Sequence, residues 1–412
     1  MDSLVLLGRQ PVLGMAEVES LYGGDNVEWL GTHAAIVHVD PCLLAFDRLG
    51  GSTKFCKILT TLETTNWKQI EKFLIQVAPG HSQSMPEGKM TLGLSVIGLD
   101  VPLKQLEATG LSVKRAIKKT GRNVRLVPNK SPELNTAQVL HNKLTTPTGW
   151  ELVFLRDGDK VVVAQTVKVQ DIDSYTVRDR ERPKRDTRVG MLPPKLAQII
   201  INLAVGPLPQ DKLQNICEIP AGQPVPRKYF NQTVLDPFCG TGVVLQEALL
   251  MGYNVYGTDI EQRMIDYTAT NLDWLSSVYH VEDKAALERG DATSHQWKQA
   301  EVDVVACESY LGRPFTSQPA SDILNQTMSE CNLIIKKFLK NIHGQLKPGA
   351  RLCVAVPAWQ VRPKQFKHLG LIDSLEEIGY NRVSFERTSS QDLLYYREDQ
   401  VVARELLVLI RK

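Results

Sequence analysis

The sequence predicts an α/β protein whose second half is a largely parallel β-sheet with helices on both faces, preceded by two smaller α+β units. Three observations support this fold class. Short apolar stretches alternate with helical segments after residue 233, which is typical of a parallel sheet. The first 170 residues mix strands and helices without that alternation. The 412 residues are also too many for one hydrophobic core, since domains usually hold on the order of 100–200 residues.

Composition narrows the class of protein further. Hydrophobic residues make up 43% and charged residues 23% of the chain, as in ordinary globular proteins. No apolar run approaches the ~20 residues that span a bilayer, and residues 1–8 resemble a first strand more than a signal peptide because they lack a basic region. The seven cysteines form no CxxC pair, which argues against structural zinc and fits a reducing compartment. We therefore expect a cytoplasmic protein that neither binds a metal ion nor associates with a membrane.

Residues 1–64 are predicted to form a first small unit. Glycine pairs at Gly23-Gly24 and Gly50-Gly51 end its two predicted helices. Its size of about 65 residues is close to the lower limit for an independent core, so we expect it to pack on its neighbour. The predicted elements are strands at 3–7, 27–39 and 54–62 and helices at 14–22 and 41–49.

Residues 65–170 are predicted to form a second unit. Its last two strands are expected to form a hairpin about Asp157-Gly158-Asp159, a good turn sequence. The predicted elements are helices at 67–77, 103–119 and 134–144 and strands at 91–97, 124–127, 150–155 and 160–167. Residues 171–190 are interpreted as a linker because they are charged and interrupted by proline.

Residues 191–412 are predicted to form the parallel-sheet domain. The last three strands lack long helices between them, so we expect the sheet to finish in an antiparallel hairpin. Strands are predicted at 233–235, 255–258, 302–307, 351–356, 381–387, 393–396 and 404–410, and helices at 191–204, 243–251, 261–275 and 323–339.

A glycine-containing turn is the strongest signal in this domain. Asp236-Pro237-Phe238-Cys239-Gly240-Thr241-Gly242 follows a strand and leads into a helix. The two glycines let backbone approach a ligand, and the helix start offers free N–H groups. A dinucleotide fingerprint would be G-x-G-x-x-G without the preceding aspartate. One acidic residue and no pyrophosphate cradle suit a cofactor with an amino-acid tail and a nucleoside head.

Two further acidic residues follow the next strands. Asp259 ends the second strand, where it can bind ribose hydroxyls, and Asp291 ends the third, where it can accept from an adenine amino group. Together with Asp236 they form the pattern expected for S-adenosylmethionine. Asp259 alone is equally explained as a helix cap, and Asp291 less readily so. The predicted cofactor-binding residues are Pro193, Asp236, Phe238, Cys239, Gly240, Gly242, Asp259, Ile260, Asp291 and Ala292.

Several segments resemble the THUMP-domain guanosine-N2 methyltransferases of archaeal and eukaryotic tRNA. LDPFCGTGVVLQEAL, from Leu235, is similar to motif I of RNA amino-methyltransferases. RPKRDTRVGMLPPKLAQIIINLA, from Arg182, and the carboxy-terminal segment from Tyr396 to Leu409 resemble segments of that family. The resemblance implies a ferredoxin-like domain at 1–64, a THUMP RNA-binding domain at 65–170 and a Rossmann-like methyltransferase domain at 191–412. It implies S-adenosylmethionine as cofactor and an exocyclic guanosine amine in tRNA as target.

The family's motif IV, Asp/Asn-Pro-Pro-Tyr/Phe, is altered in this chain. The corresponding place reads Cys307-Glu308-Ser309-Tyr310-Leu311, without either proline. Glu308 is a candidate to accept a hydrogen bond from the amine and to take its proton. Tyr310 is a candidate to stack on the base. The alternative is that both residues only cap a strand and pack.

Basic residues cluster in two places. One cluster surrounds the end of a helix in the predicted THUMP unit, and the other lies in the predicted linker. Phosphate contact is one interpretation; a solvated face or salt bridges between domains is the other. The candidate RNA-binding residues are Lys118, Lys119, Arg122, Arg125, Lys130, Arg182, Lys184 and Arg185.

Two rival functions remain open. The altered motif IV fits a non-catalytic RNA-binding protein that retains the fold. The second rival function is that of an amino-methyltransferase for DNA or protein, which would not need residues 1–170 for activity.

Overall fold

The computed structural model describes residues 2–186, 191–217, 219, 223–226, 230–281, 285–297, 302–315 and 317–412. By contacts between residues the chain divides into two compact units. The amino-terminal unit comprises Met1–Pro11, Asp25–Phe46 and Ser52–Ile172, and the carboxy-terminal unit comprises Val12–Gly24, Asp47–Gly51 and Asp173–Lys412.

The strands in chain order are β1 (Ser3–Leu7), β2 (Val27–Leu30), β3 (Ala34–Val37), β4 (Ser52–Leu62), β5 (Met90–Ile97), β6 (Val124–Leu126), β7 (Gly149–Asp157), β8 (Lys160–Val169), β9 (Thr233–Asp236), β10 (Asn254–Asp259), β11 (Ala285–Arg289), β12 (Val304–Glu308), β13 (Arg351–Arg362), β14 (Gln365–Lys367), β15 (Tyr380–Arg382), β16 (Leu394–Tyr395) and β17 (Val402–Arg411). The α-helices are α1 (Pro11–Tyr22), α2 (Trp67–Ser84), α3 (Leu103–Lys118), α4 (Thr136–His141), α5 (Ile172–Arg180), α6 (Pro194–Val205), α7 (Gln210–Cys217), α8 (Val243–Leu250), α9 (Gln262–Tyr279), α10 (Ser321–His343) and α11 (Leu375–Ile378).

The amino-terminal unit is built on one eight-stranded sheet in the order β2-β3-β1-β4-β8-β7-β5-β6. β4 pairs with β8 in antiparallel register, so the sheet continues across the predicted boundary at residue 64. The division of this region into ferredoxin-like and THUMP domains therefore stays a prediction that rests on the resemblance.

Two predictions about the first 50 residues were wrong. The strand predicted at 27–39 is a hairpin of β2 and β3, because the chain turns at Gly31 with a φ of 59°. The helix predicted at 41–49 is two short 3-10 helices, Pro41–Leu43 and Phe46–Arg48. A three-residue 3-10 turn fits where the chain lacks the length to propagate an α-helix.

Helices α2 and α3 pack on the sheet of the amino-terminal unit. The residues of α2 that face the core recur at helical spacing, which explains why this segment forms an amphipathic helix. Trp67 donates its indole N–H to Thr109 at 2.9 Å and meets Phe154 edge-on at 5.4 Å between ring centroids. Burying each such side chain stabilises the unit by roughly 1.5–3 kcal/mol.

A buried ion pair lies beneath this sheet. Lys54 Nζ lies 2.8 Å from Glu151 Oε1 and donates to the Leu134 carbonyl at 2.6 Å. Ser95 and Thr166 each donate a hydroxyl to the Glu151 carboxylate at 2.6 Å. The side chains of Lys54 and Glu151 are 1% and 0% exposed. The desolvation cost of burying both charges is offset because the charges pair with each other and are hydrogen-bonded.

The carboxy-terminal unit contains the predicted parallel sheet. The strand order is β11-β10-β9-β12-β13-β17-β15, with β9 to β13 parallel and β17 antiparallel to β13 and β15. The strand order reverses between β9 and β12. In open α/β sheets, ligands bind at the carboxyl ends of the strands beside such a reversal.

Helices cover the sheet of the carboxy-terminal unit. Residues of α10 such as Cys331, Ile335 and Phe338 recur at helical spacing and pack on inward-facing residues such as Val305 and Val354. The Rossmann-like fold predicted for this half of the chain is confirmed.

The predicted linker contains a helix. α5 (Ile172–Arg180) lies within residues 171–190, which we interpreted as a linker without a predicted helix. Arg178 on α5 is 6% exposed because its Nε donates to the buried carboxylate of Glu247 at 2.7 Å. Further on, the amide and carbonyl of Lys184 both bond to the Asn271 side chain at 2.9 Å. From Asp173 onward, the described part of this segment therefore belongs to the carboxy-terminal unit; residues 187–190 lie outside the described residues.

No helix in the described parts of the chain is long and apolar enough to cross a bilayer.

Candidate active site

The glycine turn between β9 and α8 forms one wall of the candidate site. Gly240 and Gly242 have φ values of 52° and 82°, a left-handed conformation that favours glycine. A Cβ at Gly242 would lie only 2.8 Å from Thr268. The Thr268 hydroxyl also donates to the Gly240 carbonyl at 2.8 Å. The turn is therefore held tightly against α9, with its backbone close to the strand ends.

Asp236 lies at the base of this turn. Asp236 is only 2% exposed, and its Oδ1 atom accepts a hydrogen bond from the Phe238 N–H at 3.1 Å. Burial raises the pKa of Asp236 well above its usual range, and the nearby charges of Asp259 and Glu308 raise it further. A carboxylate in this position is stabilised by a cation.

Asp259, at the end of β10, bonds to the same turn. Its Oδ2 accepts from the Gly240 N–H at 3.0 Å and its Oδ1 from the Glu261 N–H at 2.9 Å. Burial also raises the pKa of the Asp259 carboxyl. Asp259 thus fastens the glycine turn to the second strand. Ile260 beside it is 60% exposed, and its role at the cofactor stays a prediction.

The third strand end lies next to the second. Gly290 donates its N–H to the Asp259 carbonyl at 2.9 Å. Asp291 Oδ1 accepts from both the N–H and the hydroxyl of Thr293 at 2.8 Å, so this oxygen caps the turn. Asp291 is exposed, and Oδ2 has no hydrogen-bond partner among the described residues. Ala292 is buried beside it.

An aromatic layer supports the turn from below. Trp297 donates its indole N–H to the Thr258 hydroxyl at 3.2 Å. Phe238 meets Phe338 edge-on at 5.1 Å between ring centroids. Cys239 is buried and donates its N–H to the Thr258 carbonyl at 3.0 Å. These contacts give Phe238 and Cys239 a supporting role in the site.

Glu308 and Tyr310 lie at the end of β12, next to β9. The Glu308 carboxylate accepts from Arg404 Nε in a close ion pair. Ser309 is buried and donates both its N–H and its hydroxyl to the Ala355 carbonyl at 2.9 Å. Tyr310 is 39% exposed. The strand end is therefore rigid at Ser309, with Glu308 on the side of Asp236.

Arg404 is a site residue that was not predicted. It lies on β17, where it pairs with Pro357 of β13, and its side chain is 11% exposed. The neighbouring Glu405 is buried and binds Arg382 at 3.0 Å. An arginine and a glutamate inside an otherwise apolar strand were the signal available in the sequence.

Pro193 is placed apart from these contacts. It precedes α6 with extended backbone and is half-buried. Within the described residues, nothing connects it by a hydrogen bond to the three aspartates, so its role at the cofactor remains a prediction.

The predicted RNA-binding residues of the amino-terminal unit differ in exposure. Lys118, Lys119, Arg125 and Lys130 are exposed, and Arg125 donates to the Asn142 side chain. Arg122 instead donates to the carbonyls of Ser82, Met85 and Pro86, and so holds the end of α2.

The basic residues of the predicted linker also differ in exposure to solvent. Arg182 is only 2% exposed, because this segment packs against the carboxy-terminal unit. It does not offer its guanidinium to solvent. Lys184 lies 5.4 Å over the ring of Tyr267, and Arg185 is exposed with Nη2 3.6 Å from Met191 Sδ.

Among the residues that the structure describes, no group of three or more histidine, cysteine or acidic side chains is arranged to hold a metal ion.

Comparison with known families places a methyltransferase domain in the second half of the chain. Residues 230–399 match the family described as a methyltransferase domain, and residues 139–270 match a DNA methylase family. The first match contains the glycine turn, all three aspartates and Glu308.

Individual relatives are distant. A tRNA (guanine(10)-N2)-dimethyltransferase of Methanothermobacter thermautotrophicus is 29% identical over 168 residues, 41% of this chain and 39% of the relative. The enzyme of the same name from Pyrococcus abyssi is 24% identical over 237 residues, 56% of each chain. The chain thus matches about half the length of these relatives or less. The crystal structure of TrmN from Thermus thermophilus aligns over 100% of both chains at 15% identity, with a TM-score of 0.48.

The site and the domain match lead to the same conclusion. The tight glycine turn, Asp236 at the end of β9 and Glu308 at the end of β12 lie at the reversal of strand order, with Asp259 and Asp291 at the ends of the next strands toward the sheet edge. The carboxy-terminal half of this chain has a Rossmann-like fold, and residues 230–399 within it match the family described as a methyltransferase domain.

Proposed function

We propose that this protein transfers a methyl group from S-adenosylmethionine to the exocyclic N2 amine of a guanosine in tRNA. The observation that carries the proposal is the cluster of Asp236, Asp259 and Glu308 beside the glycine turn. The names of the archaeal relatives support the substrate.

The residues present fit the cofactor. Asp236 and Asp259 form a partly buried acidic region, in which burial and then neighbouring carboxylates raise the pKa of Asp236, so that a bound cation would stabilise its ionised form. S-adenosylmethionine carries two positive groups, an ammonium and a sulfonium. Asp236 would hold the ammonium, Asp259 the ribose, and Asp291 with Ala292 the adenine. The left-handed glycines leave room for the cofactor beside the backbone.

The chemistry requires a positioned amine and a proton acceptor. S-adenosylmethionine supplies a methyl group bound to a sulfonium sulfur. Glu308 accepts a hydrogen bond from the amine and orients the nitrogen toward that methyl group. The Glu308 carboxylate would take the proton that the amine nitrogen gives up when it gains this methyl group. S-adenosylhomocysteine and N2-methylguanosine are the products.

Tyr310 provides the surface for the base. A base inside a helix must leave its stack at a cost of a few kcal/mol. Stacking on an aromatic side chain returns about 1–3 kcal/mol. With 39% of its surface exposed at the strand end, Tyr310 is available for this contact.

The amino-terminal unit is proposed to bind the RNA. Lys118, Lys119, Arg125 and Lys130 are exposed basic residues of this unit, as expected for contact with phosphates. We leave Arg122 and Arg182 out of this surface because one is bonded to carbonyls and the other is buried.

Two other functions remain candidates. The match of residues 139–270 to a DNA methylase family favours a DNA amine as the second candidate substrate. The altered motif IV favours the non-catalytic RNA-binding alternative.

A single-turnover assay separates these functions. The full chain is incubated with methyl-labelled S-adenosylmethionine and with total tRNA or double-stranded DNA, and the nucleosides are analysed. Labelled N2-methylguanosine from tRNA is the expected result. A methylated base in DNA alone would establish the second candidate, and cofactor binding without any methylated nucleoside would establish the non-catalytic alternative.

A further inference from the structure

The Glu308–Arg404 pair joins two strands that are not neighbours. Glu308 pairs with Ala355 of β13, and Arg404 of β17 pairs with Pro357 on the other side of the same strand. The two side chains therefore meet across the middle of β13 (Arg351–Arg362), beside the carboxyl end of β12 that forms part of the candidate active site. Their side chains are 15% and 11% exposed, so the pair is shielded but accessible.

The pair leaves hydrogen-bonding groups of both kinds unused. Glu308 accepts through Oε1, and Oε2 has no partner among the described residues. Arg404 donates through Nε, and in the part of the chain that the structure describes neither Nη nitrogen has a partner. A guanidinium carries five N–H donors in a rigid plane. The pair thus presents an acceptor next to fixed donors.

This arrangement matches one base better than the others. The Watson–Crick edge of guanine presents two donors, the N2 amine and the N1–H, next to the O6 acceptor. Adenine presents an amine next to the N1 acceptor and lacks an oxygen. An acidic side chain alone would accept any exocyclic amine, and a second group is needed to select guanine.

We propose that Arg404 is a specificity-determining residue that donates to O6 of the target guanine while Glu308 accepts from its N2 amine. The proposal rests on the proposed function and names how the base is chosen. Nε of Arg404 holds Glu308, and the Nη groups read the base. In this chain, the altered motif IV at the end of β12 would thus act together with a base-reading residue on a different strand, Arg404 of β17.

The experiment removes O6 from the substrate and Arg404 from the enzyme. Two RNAs carry either guanosine or 2-aminopurine at the methylated position; 2-aminopurine keeps the 2-amine but lacks O6 and the N1–H. The ratio of kcat/KM for the two RNAs is measured for the wild type, Arg404→Gln and Arg404→Lys. Arg382→Gln is the matched control, because it removes another arginine–glutamate pair of β17, at 3.0 Å.

We expect the wild type to prefer guanosine by about 100-fold, since sites built to bond a polar group strongly reject analogues that lack it. Arg404→Gln should reduce kcat/KM on guanosine by about 30-fold and on 2-aminopurine by less than 3-fold. Arg404→Lys, which keeps the charge, should retain an intermediate preference. Arg382→Gln should keep the wild-type ratio.

Equal losses on both RNAs in the two Arg404 variants would overturn the inference and show that Arg404 only supports Glu308. Thermal melting of each variant identifies a folding defect, and in that case Arg404→Lys alone decides. Failure of the proposed function looks different, because the wild type would then methylate neither RNA.

Discussion

The two halves of the candidate site are built in different ways. In the cofactor half, each acidic residue bonds to backbone within a few residues or to the next turn, as Asp236 bonds to Phe238 and Asp259 to Gly240. In the base half, Glu308 bonds to Arg404, 96 residues later in the chain. The cofactor half depends on local hydrogen bonds between strand ends and the adjoining turn. The base half depends on long-range pairing, where specificity can change.

This comparison predicts that changes in the two halves have separate effects. Substitutions in the base half should slow methyl transfer or change its target without weakening cofactor binding. Substitutions in the cofactor half should weaken binding of S-adenosylmethionine whatever the RNA.

The largest effect is expected for Glu308→Gln. Glutamine still fills the space but does not take a proton, so the single-turnover rate should fall by about 10³-fold. Calorimetry should show the affinity for S-adenosylmethionine within about 3-fold of the wild type, and Glu376→Gln, an exposed glutamate at 81%, should change neither quantity. A rate close to the wild-type value would contradict the catalytic role.

The next prediction concerns a buried carboxylate outside the candidate site, Glu17, and its effect on the stability of the fold. Burial raises the pKa of Glu17 to about 7, although it accepts from Asn202 and from the amides of Gly50 and Gly51. The folded state therefore binds the proton more tightly than the unfolded state, whose pKa is about 4.3. The resulting stability is present below pH 4.3 and is lost as the pH rises through 7, by up to about 3 kcal/mol.

Urea unfolding at pH 5, 6, 7 and 8 tests this. The free energy of unfolding should decline with pH in the wild type, and less steeply in Glu17→Gln. Slopes are compared rather than absolute values, because glutamine also loses one acceptor. Identical slopes in both proteins would rule out Glu17 as the source.

The smallest effect concerns RNA binding. Changing both Lys118 and Lys119 to Gln should lower the dependence of log affinity on log salt concentration by about two units if each contacts a phosphate. Filter binding of tRNA between 50 and 200 mM salt measures it. Lys104→Gln is the matched control, since it removes an exposed lysine at the opposite end of the same helix. An unchanged slope in the double variant would place the RNA elsewhere.

The sequence predicted the features that depend on near neighbours. The glycine turn was predictable because left-handed backbone at Gly240 and Gly242 favours glycine. The strand ends were predictable because apolar runs stop at Asp236 and Asp259. The fold of the carboxy-terminal unit followed from the alternation of such runs with helices.

Features that depend on distant partners were not predicted. Arg182 belongs to a charge run that reads as solvated, but packing of the segment on its own unit buries it. Lys54 and Glu151 are 97 residues apart, and only the pairing of β4, β8 and β7 brings them together. Arg404 faces Glu308 for the same reason. Side chains whose partners are set by strand pairing are not visible in a local pattern.

The most direct test of the cofactor site is calorimetric titration of S-adenosylmethionine into the wild type and Asp236→Asn. The ionised carboxylate binds the ammonium, and the pKa of Asp236 is raised in the free protein. Wild-type affinity should therefore increase with pH between 5 and 8, while the affinity of Asp236→Asn should be about 30-fold lower at pH 8 and nearly independent of pH. Equal affinity and equal pH dependence in the two proteins would contradict the account.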